Sequence, residues 1–212
     1  MVRFITFEGG EGTGKTTQVA LLASYVSERA RPCVVTREPG GTALGKMIRK
    51  TLLQVDDFAI APATELFLYL ADRAEHVHEV IAPALKAGKL VICDRFADST
   101  LVYQGYGRGF DLAKLRHLND LAIGDCRPQL SFLLDCPAEL GLLRAAQRSR
   151  DSSENLNEDR FEREHLAFNE KIRQGFLQVA RAEPNRFRIL DAVQPVERVW
   201  QQVRQIIDRE LF

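Results

Sequence analysis

The sequence predicts an α/β three-layer sandwich, a five-stranded parallel sheet flanked by helices. Three observations predict it. Short apolar runs bounded by turn residues alternate along the chain with stretches of helical periodicity, the pattern of a parallel sheet covered on both faces. The glycine-rich segment 9–14 follows the first apolar run and opens a helical stretch. The chain has 212 residues, 45% of them hydrophobic and 27% charged, enough for one α/β domain and its core.

The elements follow in order. Residues 3–7 are β-branched and aromatic and read as a strand. Residues 16–30 carry Val19, Leu22 and Val26 at helical spacing. A second strand, 33–36, follows the turn at Arg31 and Pro32, and Glu38-Pro39-Gly40-Gly41 reads as a loop. Residues 44–53 are helical, as are 64–85 with a break point at Pro83. A buried strand at 90–93 lies between Gly88 and Asp94. Gly105, Gly107 and Gly109 mark a flexible or tightly turned segment. Helix 112–123, strand 130–134, helix 138–147 and strand 187–190 follow. Val196, Val199, Val203 and Ile206 give an apolar face to a C-terminal helix. The polar stretch 149–159 is expected to be a mobile surface segment that interrupts the fold without dividing it. A single domain over 1–212, with a lid around 144–160, is the expected organisation.

Lys+Arg and Asp+Glu number 29 each, so a bulk electrostatic nucleic-acid binder is not predicted. The longest apolar run, 66–71, is far short of the roughly 20 residues of a membrane span. The N-terminal residues read as a strand rather than a signal peptide. Cys33, Cys93, Cys126 and Cys136 stand far apart and read as small buried thiols of a reducing cytosol, not as zinc ligands. The expected location is therefore cytoplasmic.

Gly9, Gly10, Glu11, Gly12, Thr13, Gly14, Lys15 and Thr16 fit G-x-x-x-x-G-K-[ST], with a strand before and a helix after. Such a P-loop turns backbone N–H groups toward phosphate oxygens at a helix N-terminus. This is the signature of the P-loop NTPase fold. The predicted ATP site comprises Gly9 to Thr16 with Thr17, and Lys15 is placed on the β- and γ-phosphates. The Thr16 hydroxyl is a predicted Mg²⁺ ligand, and Asp94, ending an apolar strand, is the second, holding the ion through water. A P-loop alone leaves hydrolysis, switching and transfer open.

Further motifs gather at the C-terminal strand edges, where ligands bind in open α/β sheets. They are Thr36-Arg37-Glu38-Pro39-Gly40-Gly41-Thr42, Asp94-Arg95-Phe96, Tyr103-Gln104-Gly105-Tyr106-Gly107-Arg108-Gly109, and an arginine-bearing stretch from Arg144 to Arg150. In this order and spacing the chain resembles the thymidylate kinases, from the P-loop to the C-terminal helix. The resemblance implies phosphoryl transfer from ATP·Mg²⁺ to dTMP, giving dTDP for dTTP synthesis, by a homodimer. It implies that Arg95 contacts the acceptor phosphate, a task suited to a planar, permanently charged guanidinium. Arg49 is implied to help hold that phosphate. Glu11 is implied to face the sugar, accepting from its hydroxyl or orienting a metal-bound water.

Arg73 matches the arginine that donates to the thymine O4. The family usually carries phenylalanine four residues before that arginine; here the position is Tyr69, with Phe67 as the alternative stacking ring. Thr100 and Gln104 match positions facing the base edge. Glu38, Pro39, Ser99 and Tyr103 complete the expected dTMP site, Glu38 in a structural rather than catalytic role. In one branch of the family an arginine follows the acidic P-loop residue. That position is Gly12 here, so Arg148 is the predicted supplier of catalytic charge, with Arg144 and Arg150 next and Arg144 also assigned to the ATP site. Arg160 is a weaker candidate for orienting the lid. No covalent intermediate is predicted. His76, His78, His117 and His165 are expected at surface or helix-face positions.

Two other functions compete. A kinase for a different nucleoside monophosphate would differ in the pocket around Tyr69, Arg73, Thr100 and Gln104. A P-loop switch would need a γ-phosphate-sensing loop and, for guanine, N-K-x-D, which the sequence lacks.

Overall fold

The computed structural model of the protein describes residues 2–53, 59–151 and 165–212. Five parallel strands, β1 (Phe4–Glu8), β2 (Cys33–Arg37), β3 (Leu90–Asp94), β4 (Leu130–Asp135) and β5 (Phe187–Asp191), form one sheet in the order β2-β3-β1-β4-β5. β1 sits at the centre, with Phe4 opposite Val91 of β3 and Ile5 opposite Leu130 of β4.

The central strands β1, β3 and β4 are buried on both faces because both faces are covered, while the edge strands β2 and β5 are partly exposed. Ile5, Phe7, Leu90, Ile92, Phe132 and Leu134 meet α1 (Lys15–Ser27) and α9 (Val196–Leu211) through Val19, Leu22, Val26, Val199, Val203 and Ile207. The alternate residues Phe4, Val91 and Cys93 face the other layer, where Ile81, Ala84, Phe96 and Ile123 close over them. Polar groups on that face are paired: the Thr6 and Ser131 hydroxyls, both fully buried, lie 2.7 Å apart.

The second layer holds α2 (Ala43–Leu53), α3 (Pro62–His76), α4 (Ala82–Lys86), α5 (Ala97–Thr100), α6 (Leu112–Ile123), α7 (Ala138–Asp151) and α8 (Leu166–Ala182). The expected break at Pro83 does not occur. A π-helical turn at Val77–Ile81 realigns the backbone just ahead of it, and the chain stays helical to Lys86. The Gly105–Gly109 region is likewise not a loose turn, since Leu101–Gly107 is π-helical. A Cβ on Gly105 would lie 2.4 Å from Leu112 of α6, and one on Gly107 would lie 2.8 Å from Phe168 of α8. Two of the three glycines there serve close packing rather than a turn.

α8 was not expected. It buries Asn169, Ile172, Phe176 and Val179, a helical spacing, and Arg173 clamps Asp135 of β4 with bonds of 2.8 and 3.0 Å. Arg186, just before β5, holds Asp98 in the same two-pronged way at 2.7 and 2.9 Å.

Among the described residues no helix is long and apolar enough to cross a membrane. All four cysteines are free; Cys93 and Cys136 are buried, Cys33 and Cys126 half-buried. His78, His117 and His165 are exposed, whereas His76, at the end of α3, is fully buried and so takes the helix-face rather than the surface alternative. Most of the stretch 149–159 and Arg160 lie outside the described residues.

Candidate active site

The P-loop joins β1 to α1, with Gly9, Gly12 and Gly14 all at positive φ. Lys15 opens the helix and donates through Nζ to the Gly10 carbonyl at 2.6 Å. Burial, then the nearby Arg95 charge, pulls its pKa down to about 8. Thr17 is exposed on the first turn of α1. The Thr16 hydroxyl donates to Oδ2 of Asp94 at 2.7 Å, because β3 lies directly beside β1 and ends at that carboxylate.

Arg95 follows β3 with φ 66, a left-handed conformation uncommon for a side-chain-bearing residue. The turn is held by Glu8, a buried carboxyl at the end of β1. It accepts from the Phe96 N–H at 2.8 Å and from the Ser99 hydroxyl at 2.7 Å. Burial, then Asp98, pushes the Glu8 pKa up to about 8. From this turn Arg95 donates to the Gly9 carbonyl at 2.8 Å and to Glu11 at 2.6 Å. Tyr103 donates its hydroxyl to the same Glu11 oxygen at 3.0 Å. Burial alone would raise the Glu11 pKa, but Arg95, then Lys15 and Tyr103, hold it at about 2. Glu11 is therefore a carboxylate at neutral pH, and Arg95 is a cation whose pKa is raised further by that carboxylate against the opposing effect of burial.

A cleft enclosing about 730 Å³ of empty space, part of it open to solvent, lies beside this cluster. Glu11, Glu38, Pro39, Arg49, Tyr69, Arg73, Arg95, Ser99, Thr100, Tyr103 and Gln104 line it, joined by Leu53, Phe96 and Arg148. Arg73 is 1% exposed and is held on every side. Its Nε donates to Glu38 at 2.9 Å, Nη1 donates to Thr100 and Asn119 at 2.8 and 2.7 Å, and Nη2 donates to the Phe96 carbonyl. Glu38 also meets Nδ1 of His76 at 2.9 Å, and Nε2 of His76 lies 2.6 Å from the Thr36 hydroxyl. This buried chain supports the structural reading of Glu38 and explains the burial of His76. Arg49 donates to the Pro39 carbonyl at 3.2 Å, and the Gly40 N–H donates to Asp72 at 2.9 Å. Both bonds tie the loop after β2 to the helices beneath it. Burial, then Glu38, pushes the Asp72 carboxyl up to about 6.

The family model described as thymidylate kinase matches residues 7–203. The chain belongs to the thymidylate kinase family. It is 51% identical over 208 residues to the thymidylate kinase of Desulfovibrio desulfuricans, covering 98% of this chain and 96% of that protein. It is 54% identical over 194 residues to that of Geobacter sulfurreducens, covering 92% and 91%. The crystal structure of thymidylate kinase from Ehrlichia chaffeensis superposes with a TM-score of 0.76 at 35% identity, covering 97% of each chain.

Within this thymidylate kinase fold the cavity takes in every residue expected on the acceptor side except Phe67. Of the two rings left open for stacking, Phe67 is 60% exposed and does not line the cavity, and Tyr69 does, for a simple reason. On α3, Tyr69 lies four residues before Arg73 and shares its face, whereas Phe67 is rotated by about 200° from Tyr69. Arg148 lines the cavity and is close enough for its charge to lower the Glu11 pKa. Arg144 instead donates to the Ala192 and Val193 carbonyls after β5, and Arg150 is exposed. Sequence reasoning missed Glu8, Glu65, Asn119 and His76. Each acts through another side chain or the backbone, at distances in sequence that no local motif spans.

Proposed function

We propose that the chain transfers the γ-phosphoryl group of ATP to the phosphate of dTMP, giving dTDP and ADP in dTTP synthesis. The observation that carries this reading is the cavity itself, which runs from Arg95 beside the P-loop to Tyr69, Arg73, Thr100 and Gln104. An acceptor phosphate at Arg95 stands next to the loop that holds the donor, and its base reaches one donor-rich and one amide-bearing wall. An oxygen of the dTMP phosphate forms the new bond to the γ-phosphorus as the β–γ bridging bond breaks and ADP leaves.

Little covalent chemistry is asked of the protein; it positions the groups and neutralises charge. Lys15 holds the donor phosphates. Arg95 holds the acceptor phosphate, assisted by Arg49. Glu11, kept ionised by Arg95, accepts from the sugar hydroxyl. Arg148 supplies positive charge to the transferring group, a role worth roughly 10²-fold or more. Arg144, near the loop after β5, belongs to the ATP side. Tyr69 stacks on the base, Arg73 donates to its O4 and Gln104 accepts from its N3–H.

The paired Thr16 and Asp94 oxygens are hard ligands at the P-loop and fit Mg²⁺, which keeps much of its water and needs few protein ligands. Bound there with ATP, the ion would offset phosphate charge.

The test is a coupled ADP-release assay with dTMP, dUMP, CMP, AMP and GMP. Turnover chiefly with dTMP is expected, abolished by chelation of divalent metal and restored by Mg²⁺. Preference for another monophosphate would overturn the base reading and leave the P-loop assignment standing.

The chain is further read as a single cytoplasmic domain that works as a homodimer. Support for the dimer comes from exposed apolar side chains on packed helices: Leu44 and Met47 on α2, Phe67 on α3 and Leu121 on α6. Ala71 and Ala74 extend the Phe67 stripe along α3. Phe67→Asp is expected to convert a two-chain species to a single-chain one in sedimentation equilibrium. An unchanged mass would place the dimer contact elsewhere.

A further inference from the structure

Glu65 lies behind Gln104, in the first turn of α3, and is fully buried. It accepts from Nε2 of Gln104 at 3.0 Å, and from Nε and Nη2 of Arg108 at 3.4 Å each. We propose that Glu65 is a positioning residue that fixes which end of the Gln104 amide faces the cavity, and so sets base selectivity. This rests on the reading of the cavity as the dTMP site.

A glutamine amide can present either its NH₂ or its carbonyl, and the two ends are nearly the same shape. A carboxylate cannot donate, so the NH₂ end goes to Glu65 and the carbonyl is left for the cavity that Gln104 lines. The opposite wall is fixed just as firmly. Arg73 has no acceptor; its Nε and Nη1 are engaged with Glu38, Thr100 and Asn119, and Nη2 spends one N–H on the Phe96 carbonyl and keeps a second to donate. Between Arg73 and Gln104 the pocket thus sets a donor beside an acceptor. A pyrimidine with a 4-keto oxygen and an N3–H complements both. A 4-amino pyrimidine, with a bare N3, opposes donor to donor and acceptor to acceptor. Sites built this way reject the mismatched ligand strongly because buried polar groups are left unpaired.

The burial of Glu65 is otherwise expensive, since a buried carboxylate costs more than its ion pair usually returns. Arg108 offsets that cost: its Nη2 donates to Oε2, and its Nε donates more weakly, at 3.4 Å, to the Oε1 that accepts from the amide at 3.0 Å.

The experiment compares kcat/KM for dTMP and dCMP in the full enzyme and in Glu65→Gln. A glutamine at 65 can donate to the Gln104 carbonyl, freeing the amide to turn its NH₂ into the cavity. The dTMP-to-dCMP ratio is expected to fall by about tenfold or more, chiefly through KM for dTMP. In a Gln104→Met background, which has no amide to orient, the same change at 65 is expected to leave the ratio unaltered. Glu65→Met serves as the second variant if Glu65→Gln folds poorly, with thermal melts run on both. Equal losses for dTMP and dCMP, with the ratio kept, would make Glu65 merely structural and overturn the proposal. A ratio that falls just as far without the Gln104 amide would overturn it too. A ratio near one in the unaltered enzyme would instead defeat the base-edge reading itself.

Discussion

Arg95→Ala is expected to lower kcat/KM for dTMP by about 10³-fold while ATP affinity stays within about threefold. Removing a single preorganised donor from a developing charge costs roughly 10²–10³-fold, and Arg95 is a charged one. A second loss adds to the first. Arg95 is the leading influence that holds Glu11 ionised at about 2 against burial, so its removal leaves a carboxylate short of its partner. The Tyr103 hydroxyl, bonded to the same Glu11 oxygen, loses its fixed acceptor. Glu11→Gln in the alanine background should recover part of the loss, because it removes the stranded charge, and the two changes should not be additive. The measurements are steady-state ADP release and titration calorimetry with ATP. Loss of ATP binding to the same degree as dTMP turnover would move Arg95 to the donor side.

The effect is specific to this site because the backbone there leaves little choice. With φ 66 at Arg95, the chain turns at once after β3 and returns over the P-loop, and Glu8 fixes that return through the Phe96 N–H. The sequence marks Arg95 through the Asp94-Arg95-Phe96 motif but offers no sign of Glu8, which looks like any acid ending a strand. The same contrast runs through the molecule. The strands are readable because buried parallel strands are short apolar runs closed by Gly, Pro or Asp. The helix α8 is not, because its buried face includes Asn169 and Gly175, and Arg173 on the same helix binds Asp135. The π-helical segments have no period in the sequence, and Gly105 and Gly107 punctuate like turns while serving contacts with Leu112 and Phe168. Tyr69 and Phe67 could have been separated by helical geometry alone, since only Tyr69 shares a face with Arg73. Glu65, Asn119 and His76 could not, because a charged or polar residue on a helix is usually solvated. Their burial is set by partners 39, 46 and 38 positions away.

Gly12→Arg is expected to lower kcat by about 10²-fold, even though it restores an arginine where one branch of the family carries it. Gly12 has φ +65, and a Cβ there would lie 1.9 Å from the Gly141 carbonyl oxygen and 3.1 Å from the Ala145 nitrogen. A Cβ on Gly141 would in turn lie 2.4 Å from the Glu11 carbonyl oxygen. Both sides of this contact are backbone, so no rotamer change relieves it; the P-loop or α7 has to move. Gly141, Ala145 and Arg148 are spaced by four and three residues and share one face of α7, so a shift at Gly141 carries Arg148 with it. Displacement of a catalytic group by about 1 Å can cost 10²-fold. Gly12→Ala, which adds the Cβ without a charge, should therefore lose nearly as much as Gly12→Arg. In an Arg148→Ala background, itself about 10²-fold down, Gly12→Ala should cost much less, because the group it misplaces is gone. An arginine at 12 that matched or exceeded the unaltered enzyme would show that the P-loop can host the charge, and that α7 is not its supplier. On the proposed mechanism, the glycine pair gives a steric reason to look for the catalytic arginine on α7: the P-loop has no room for one, and the helix that fills that room is the helix that carries Arg148.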